Sequence, residues 1–497
     1  MRRSDLLLGL LVGAASLTMV GERQAAACGG CFHPPPTAMV TPTDITDERM
    51  LLSVSPTQTT LYDQIQYSGN PSSFAWVLPI HGTVAVGLSA DVLFDTVDSL
   101  TATQINAPVP DCPPPPDCGY GGGGFGEDNG ATAAPSAAAD AGTAVNNGVV
   151  ITKQQNVGPY ATVQLHSTSP TALNDWLTTN GYDIPTATQT IIAAYDNEGF
   201  DFLAMKLLPT AGVQAMRPVR VTMPGASVSL PLRMAAIGTG ATVGITVWVV
   251  SDGRYQPQNF PFFHIEDSEL IWDWSVNSSN YTSLRASHEA ALGGKGWEIE
   301  SSLSLAEDTI TGVIESGGLY YPGGGGQNGA AYPPPVDASE DYIAGTDASG
   351  NPETPDQVRT DDVTDLFAGM NAPNVTVTRI RSDISHAAMS TDFVLAASPD
   401  QSQLTNIRNV TQQINVQCPI YSNDCSVIGY GTPSQSQASV TAATGGGSPG
   451  GTFACNTTST EPVGGPAGLG AAAALLGLVV TRMRKRRAEQ SGLRSAK

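Results

Sequence analysis

This sequence of 497 residues is short of positive charge. It holds 23 Lys and Arg against 45 Asp and Glu, and charged residues of both signs make up only 14% of it, where soluble domains carry about 25%. Residues 1–27 take three of the arginines and residues 481–497 take seven basic residues. The stretch between carries 13 basic and 42 acidic side chains, a net charge of −29. A surface of that sign repels phosphate backbones, which excludes nucleic acid as a partner. Aromatic content, at 6%, is ordinary for a globular protein, and the six histidines (His33, His81, His166, His264, His288 and His386) are scattered. Outside the Gly/Ser stalk there is no Gly-x-Ser-x-Gly elbow, there is no phosphate-binding loop, and Gly238-x-Gly240 lacks the third glycine and the helix of a dinucleotide turn. His288-Glu289 lacks the second histidine of a zinc protease, because Leu292 stands in its place. Asp347-x-Ser349-Gly350-Asn351 lacks the closing glutamate of a calcium loop and reads as an ordinary Asp/Gly turn. No cofactor or metal is expected, and catalysis has no local signature.

Glycine and proline are in surplus, at 53 and 36 residues. That composition argues against helical bundles and for loop-rich β structure. No repeat of fixed period is visible, which disfavours solenoids and propellers. The expected fold class is mainly β with a few helices (α+β): a β-sandwich-like ectodomain, interrupted by disordered inserts and followed by one C-terminal transmembrane helix.

Both ends read as addresses. Residues 1–27 have the form of a signal peptide: Arg2 and Arg3, an apolar run from Leu6 to Val20, then Ala25-Ala26-Ala27. Cleavage is expected between Ala27 and Cys28. A lipobox ending at Cys28 is the alternative, although Ala25 occupies the position where that motif wants leucine. At the other end residues 462–481 are uncharged, with an apolar heart from Ala467 to Val480, and Arg482, Arg484, Lys485, Arg486 and Arg487 follow. Twenty helical residues span about 30 Å, just enough for a bilayer. The basic cluster, within residues 482–497, would stay cytoplasmic. A plain anchor, a processed sorting tag and a buried core helix are the three readings of this segment.

Between the ends, residues 28–397 form the expected ectodomain. Short β-prone runs at Met50–Val54, Thr60–Tyr67 and Phe74–Leu78 precede a helical pattern over Ala90–Leu100, where Val92, Leu93, Val97 and Leu100 share a face. Residues 108–148 are low in complexity, with Pro113–Pro116 and Gly121–Gly124, and read as an insert. Strands are expected at Val149–Gln154, Ala161–Ser167, Phe200–Leu208, Val219–Met223, Leu230–Ala236, Thr242–Val250, Val375–Arg381 and Phe393–Ala396. Helices are expected at Thr171–Thr179 and Thr186–Asn197. Thr246–Val250 is too continuously apolar for a half-wet strand and belongs centrally in a sheet. A second insert covers 317–362, and 398–461 reads as a polar Gly/Ser stalk.

Seven cysteines in an exported chain allow disulfides. The expected local pairs are Cys28 with Cys31, Cys112 with Cys118, and Cys418 with Cys425. Cys455 is left over just before the tail, a candidate sorting or lipid site, with a long-range disulfide as the alternative. Cys28-Gly-Gly-Cys31 sits before Pro34-Pro35-Pro36 rather than at a helix start, so neither redox catalysis nor a zinc site with His33 is expected.

The order of segments resembles the bacterial domain-of-unknown-function family numbered 2330. The likeness rests on Asp47-Glu48-Arg49, Gln64-Ile65-Gln66-Tyr67, Asn70-Pro71, Phe74 to Pro79, Asn180-Gly181-Tyr182 with Ile184-Pro185, Gly199-Phe200 through Lys206-Leu207, Pro231-Leu232-Arg233 and Thr378-Arg379-Ile380-Arg381. It implies one β-rich unit over about 28–397 and brings no catalytic residue. The tail is similar to myxobacterial C-terminal sorting signals through Gly464-Gly465-Pro466, the apolar run and Arg482–Arg487. Cys455 stands in for the usual cysteine about ten residues upstream of the helix. That likeness implies a sorting protease as partner.

One cluster stands out as a ligand patch: Glu266, Asp267 and Glu269 beside Trp272, Asp273 and Trp274. Carboxylates interleaved with aromatics suit a carbohydrate or peptide, and the plainer reading is an amphipathic surface strand with buried tryptophan. Two functions of different class follow. One is a non-enzymatic, C-terminally tethered envelope protein, held by its membrane helix and facing an extracellular ligand in binding, adhesion or envelope maintenance. The other is an exported hydrolase whose site assembles in space.

Overall fold

The structure, a computed structural model, describes residues 31–32, 45–64, 75–116, 149–167, 169, 171–180, 186–212, 215–237, 239–318, 341–371, 373–423 and 426–445. The leader 1–27 and its cleavage site, Cys28, Cys118, Cys425, Cys455, the apolar run 462–481 and the basic tail lie outside these residues. The chain divides into a unit of Met1–Ala443 and a second of Thr444–Lys497, nearly all of which lies outside the description.

The elements begin with β1 (Cys31–Phe32), β2 (Ile45–Val54), β3 (Gln58–Asp63), β4 (Ala75–Ile80), β5 (Ala85–Leu88), α1 (Asp91–Thr101) and β6 (Gln104–Asn106). Next come β7 (Val149–Val157), β8 (Tyr160–Ser167), α2 (Ala172–Thr179), α3 (Thr186–Asn197), β9 (Asp201–Leu207), β10 (Val219–Pro224), β11 (Ser229–Leu230), α4 (Leu232–Ala235) and β12 (Thr239–Ser251). β13 (Tyr255–Pro257), β14 (Phe262–Phe263), β15 (Ile271–Asp273), β16 (Ser278–Ser279), α5 (Tyr281–Ala291), β17 (Trp297–Ala306) and α6 (Glu307–Glu315) follow. The chain continues through β18 (Gly345–Thr346), β19 (Pro352–Glu353), α7 (Pro355–Phe367), β20 (Asn374–Ser385) and β21 (Phe393–Ala397). It ends with β22 (Ile407–Asn409), β23 (Gln412–Ile414), β24 (Cys418–Tyr421), β25 (Val427–Gly431) and α8 (Pro433–Gly445). The fold is mixed α+β with strands predominating.

Two sheets carry the body. One is antiparallel, in the order β1-β4-β9-β8-β7, and the other is mixed, in the order β14-β17-β20-β12-β2-β3-β10-β5. Alternation along β4 and β9 sends Trp76, Leu78, Leu203 and Met205 into a core shared with the eight-stranded sheet. The intervening Val77, Phe202 and Ala204 pack under α2 and α3, against Leu173, Leu177, Ile192 and Tyr195. β12 lies inside its sheet, parallel to β2 and antiparallel to β20. Val247, Trp248, Val249 and Val250 are buried on both faces, as the unbroken apolar run requires.

The helices over the eight-stranded sheet are held by charge as well as packing. Asp91, Asp95 and Asp98 recur at helical spacing on α1, and Asp361, Asp362 and Asp365 on α7. Arg49 lies 5.3 Å from the Trp248 ring and 5.8 Å from that of Phe94, with Asp95 at 3.6 Å and Asp98 at 3.8 Å. Arg379 lies 5.1 Å from the Trp248 ring and pairs with Asp98 and Glu300. Arg220, on β10, meets Asp361, Asp362 and Asp365 at 3.7, 3.4 and 3.0 Å. Asp362 also accepts from Ser89 Oγ at 2.7 Å and Tyr342 Oη at 2.9 Å.

Four expectations are corrected. Leu230–Ala236 is not one strand: β11 stops at Leu230, Pro231 removes a backbone donor, and α4 follows. The second insert is shorter than 317–362. Tyr342 is buried in the core, and α7 begins inside that span on a capping box, where Thr354 Oγ1 accepts from Gln357 N and Pro355 opens the first turn. The stalk does not begin at 398, since β22 to β25 and α8 occupy Ile407–Gly445. Finally, Cys112 pairs with Cys418, 306 residues away, and neither Cys112 with Cys118 nor Cys418 with Cys425 is bonded. β6 runs parallel to β22, and Gln413 Nε2 donates to Val109 O, so the chain delivers Cys112 to Cys418.

Arg220 is buried with three carboxylates around it. Arg220→Met should therefore cost roughly 3–5 kcal/mol of unfolding free energy, because it strands buried negative charge. Urea unfolding at pH 7 measures it. A loss within the range of an exposed pair, about 0–1 kcal/mol, would show that α7 is held by packing alone.

Candidate functional site

The residues singled out as a ligand patch come together in a small lobe beside the eight-stranded sheet. β15 pairs antiparallel with β16 and parallel with β23. Alternation puts Trp272 on one side of β15 and Asp273 on the other. Trp272 packs against a small core of Ile265, Leu270, Tyr281 and Val410. Trp274 meets Trp272 edge-on with 6.0 Å between ring centroids, and its Nε1 donates to Gln413 Oε1 at 2.8 Å.

The carboxylates hold the lobe's turns. Glu266 N donates to Glu269 Oε2 at 2.9 Å, half of a capping box over the single 3₁₀ turn Asp267–Glu269. His264 Nε2 lies 2.7 Å from Glu266 Oε1, and His288 Nε2 lies 2.8 Å from Glu269 Oε1. The His288 ring stacks on Phe263 at 4.9 Å. The Glu266 backbone N–H, then the His288 contact, hold the Glu269 carboxyl below its usual range. Asp267 Oδ2 accepts from Asn409 N at 3.2 Å. Asp273 Oδ1 accepts from Ser275 Oγ, Ser275 N and Asn415 Nδ2 at 2.7, 2.8 and 3.0 Å, and these bonds lower its pKa, with the Ser275 hydroxyl leading. Asn277 and Asn415, in the turns flanking Asp273, have φ of 51° and 53°, a left-handed backbone that asparagine tolerates better than most residues.

Beneath the lobe lies a second constellation that the sequence reading passed over. β17 carries Glu298 and Glu300, both buried. Tyr281 Oη, from α5, donates to Glu298 Oε1 at 2.8 Å, with Glu300 Oε1 at 3.3 Å. Arg285 approaches Glu300 at 3.6 Å and Asp383 at 3.3 Å, while Arg379 pairs with Glu300 from the sheet. Burial pushes the Glu298 carboxyl up to about 7, and the Glu300 charge adds to it, against lowering contacts from Tyr281, Arg285 and Arg408. Two carboxylates in unlike surroundings can divide acid and base roles. Here both are sealed from solvent, and what they do is fasten α5 to the sheet. The signal was the Glu-x-Glu spacing after Trp297, in a stretch whose periodicity is otherwise that of a buried strand.

The remaining histidines have separate surroundings. His166 Nδ1 lies 2.6 Å from Asp201 Oδ1, His81 stacks on Phe200 at 4.1 Å, and His386 Nδ1 lies 3.1 Å from Thr239 Oγ1. The Asp347 carboxylate accepts from Ser349 N, Asn351 N and Asn351 Nδ2 at 2.7–2.8 Å, the geometry of an Asx turn. Among the described residues no cluster of three or more His, Cys, Asp or Glu is arranged to hold a metal ion.

Several motif residues turn out to be clamps. Arg233, of Pro231-Leu232-Arg233, reaches Glu198 with Nη1 and Nη2 at 2.7 Å each and Asp392 with Nη2 at 2.6 Å, and lies 4.1 Å from the Tyr195 ring. Arg49 and Arg379, of Asp47-Glu48-Arg49 and Thr378-Arg379-Ile380-Arg381, share Trp248. The family model described as uncharacterized protein conserved in bacteria (DUF2330) matches residues 23–316, more than half of the chain, and the chain belongs to that family. No curated protein and no solved structure matches it.

The raised Glu298 carboxyl has a consequence for stability. A group held at about 7 in the fold keeps its proton while the unfolded chain, near 4.5, releases it. Its contribution is therefore complete below pH 4.5 and is lost as pH rises through 7. Burial raises Asp63 and Glu353 to about 7 and Asp362 to about 6 as well. The melting temperature should fall between pH 5 and pH 8, and Glu298→Gln should flatten that fall by stabilising the protein at pH 8. An unchanged slope in calorimetry on the variant would remove Glu298 from the account.

Proposed function

We propose that the chain is an exported cell-envelope protein, tethered through residues 462–481 with its basic tail cytoplasmic, whose β-sandwich-like ectodomain binds a partner outside the cytoplasm. The observation that carries this reading is the Cys112–Cys418 disulfide. Disulfides persist in oxidising compartments and are reduced in the cytosol, so the pairing favours export, as does the leader ending at Ala27. The predominance of acid over base keeps such a body soluble and unattached to phosphate polymers. The half-buried Trp274 and the exposed Glu266 belong to the same small lobe, and an aromatic and a charge of that kind suit a sugar or a basic peptide. Among the described residues no helix is long and apolar enough to cross a membrane; the proposed span lies beyond them.

Fractionation of cells making the full chain tests the reading. The protein is expected in the envelope fraction after carbonate washing, starting at Cys28 by mass spectrometry. Cys112 and Cys418 should take up maleimide only after reduction. A chain recovered in the cytosol with both thiols free and Met1 or Arg2 at its start would overturn it.

A further inference from the structure

Nine large apolar side chains are conspicuously exposed among the described residues, and five of them, Ile407, Ile414, Val427, Ile428 and Tyr430, fall in the short stretch between β22 and β25. Two more adjoin it: Val109 O accepts from Gln413, and Val276 follows the strand paired with β23. Ile428 is 66% exposed and Tyr430 is 70% exposed. Both are on β25, two residues apart: Tyr430 lies opposite Pro419 of β24, and Ile428 is the extra residue where the register shifts, between the pairs Ile420–Gly429 and Tyr421–Val427. α8 braces this hairpin from its edge: Ser436 Oγ donates to Pro419 O at 2.6 Å, and Ser439 Oγ accepts from Tyr421 N at 3.0 Å. The hairpin is thus fixed in place with an apolar, aromatic face uncovered.

Charge changes at the same point in the chain. Residues 28–400 carry a net charge of −28, whereas residues 401–460 contain one arginine, Arg408, and one acid, Asp424. Sixteen residues separate Gly445, the end of α8, from Pro462, where the uncharged apolar run begins. Extended, that connection reaches at most about 55 Å. A hairpin on so short a leash is held near any bilayer that takes the run.

We propose that the Ile428–Tyr430 face of the β24–β25 hairpin docks on the surface of the bilayer that holds the tether, with Tyr430 at the headgroup level. The inference rests on the tethered reading above. Tyrosine, with an apolar ring and a polar tip, partitions to membrane interfaces. A near-neutral surface meets a bilayer without the repulsion that the acidic body would suffer from anionic lipid. The docking would orient the ectodomain, with its acidic bulk turned away from the membrane.

The full chain carrying Tyr430→Trp, reconstituted in phosphatidylcholine vesicles with and without brominated acyl chains, tests this. The wild-type chain supplies the baseline of the six native tryptophans. The added tryptophan should emit blue-shifted light and lose intensity in brominated vesicles, and adding Ile428→Asp should abolish both effects while near-ultraviolet circular dichroism stays unchanged. A chain that pellets with vesicles through a carbonate wash but shows a red-shifted, unquenched tryptophan overturns the docking and leaves the tether standing. A chain that washes off overturns the tether and the docking with it. Light scattering that shows a dimer in detergent, lost in Ile428→Asp, together with no quenching in vesicles, assigns the face to a second copy instead.

Discussion

Arginine laid between sheet and helix is the constraint on which this architecture depends. The eight-stranded sheet has to be covered by α1 and α7, and each helix brings a row of aspartates to the surface it covers. Buried carboxylates without partners are costly, so α7, whose Asp362 is sealed from solvent, closes only where the Arg220 guanidinium already waits. Arg49 and Arg379 meet α1 on either side of Trp248, and Arg220 meets α7. The planar fork of arginine bridges two or three carboxylates at once. A chain with few cations has spent several of them inside, and lysine takes no part in these contacts.

The same arrangement explains what the sequence could and could not disclose. α1 and α3 were legible because apolar residues recur at helical spacing without competition. β12 was legible because Thr246–Val250 is apolar on both faces. α7 was not, because its inward face sets Asp362 between Val358 and Leu366 and so breaks the apolar stripe, and it follows a stretch of glycine and proline that reads as disorder. Its start is nonetheless written in Thr354-Pro355-Asp356-Gln357, where a cap, a proline and a box partner stand in order. Leu230–Ala236 misled in the opposite direction, since β-prone composition outweighed the one residue, Pro231, that breaks the strand.

The candidate site shows a similar division. That Glu266, Asp267, Glu269, Trp272, Asp273 and Trp274 would gather was visible in their spacing. Their roles were not, because each depends on a distant partner: His288 for Glu269, Asn409 for Asp267, Asn415 for Asp273, Gln413 for Trp274. Cysteine pairing failed for the same reason. Proximity in sequence proposed Cys112 with Cys118, while the parallel course of β6 and β22 proposed a partner 306 residues on. Pairings between remote segments leave no local trace.

The position of β20 gives the order of assembly. β17 and β14 join the eight-stranded sheet only through β20, which lies between β17 and β12. The match to the family model ends at 316, and this strand begins at Asn374. A chain halted before β20 has emerged would hold β12 and β17 with unpaired edges, both long and the first rich in valine, which is the pattern that templates intermolecular pairing. The strand that closes the sheet is therefore also the one that ends its exposure. The interval before Ser385 is made is when the sheet is most open to intermolecular pairing.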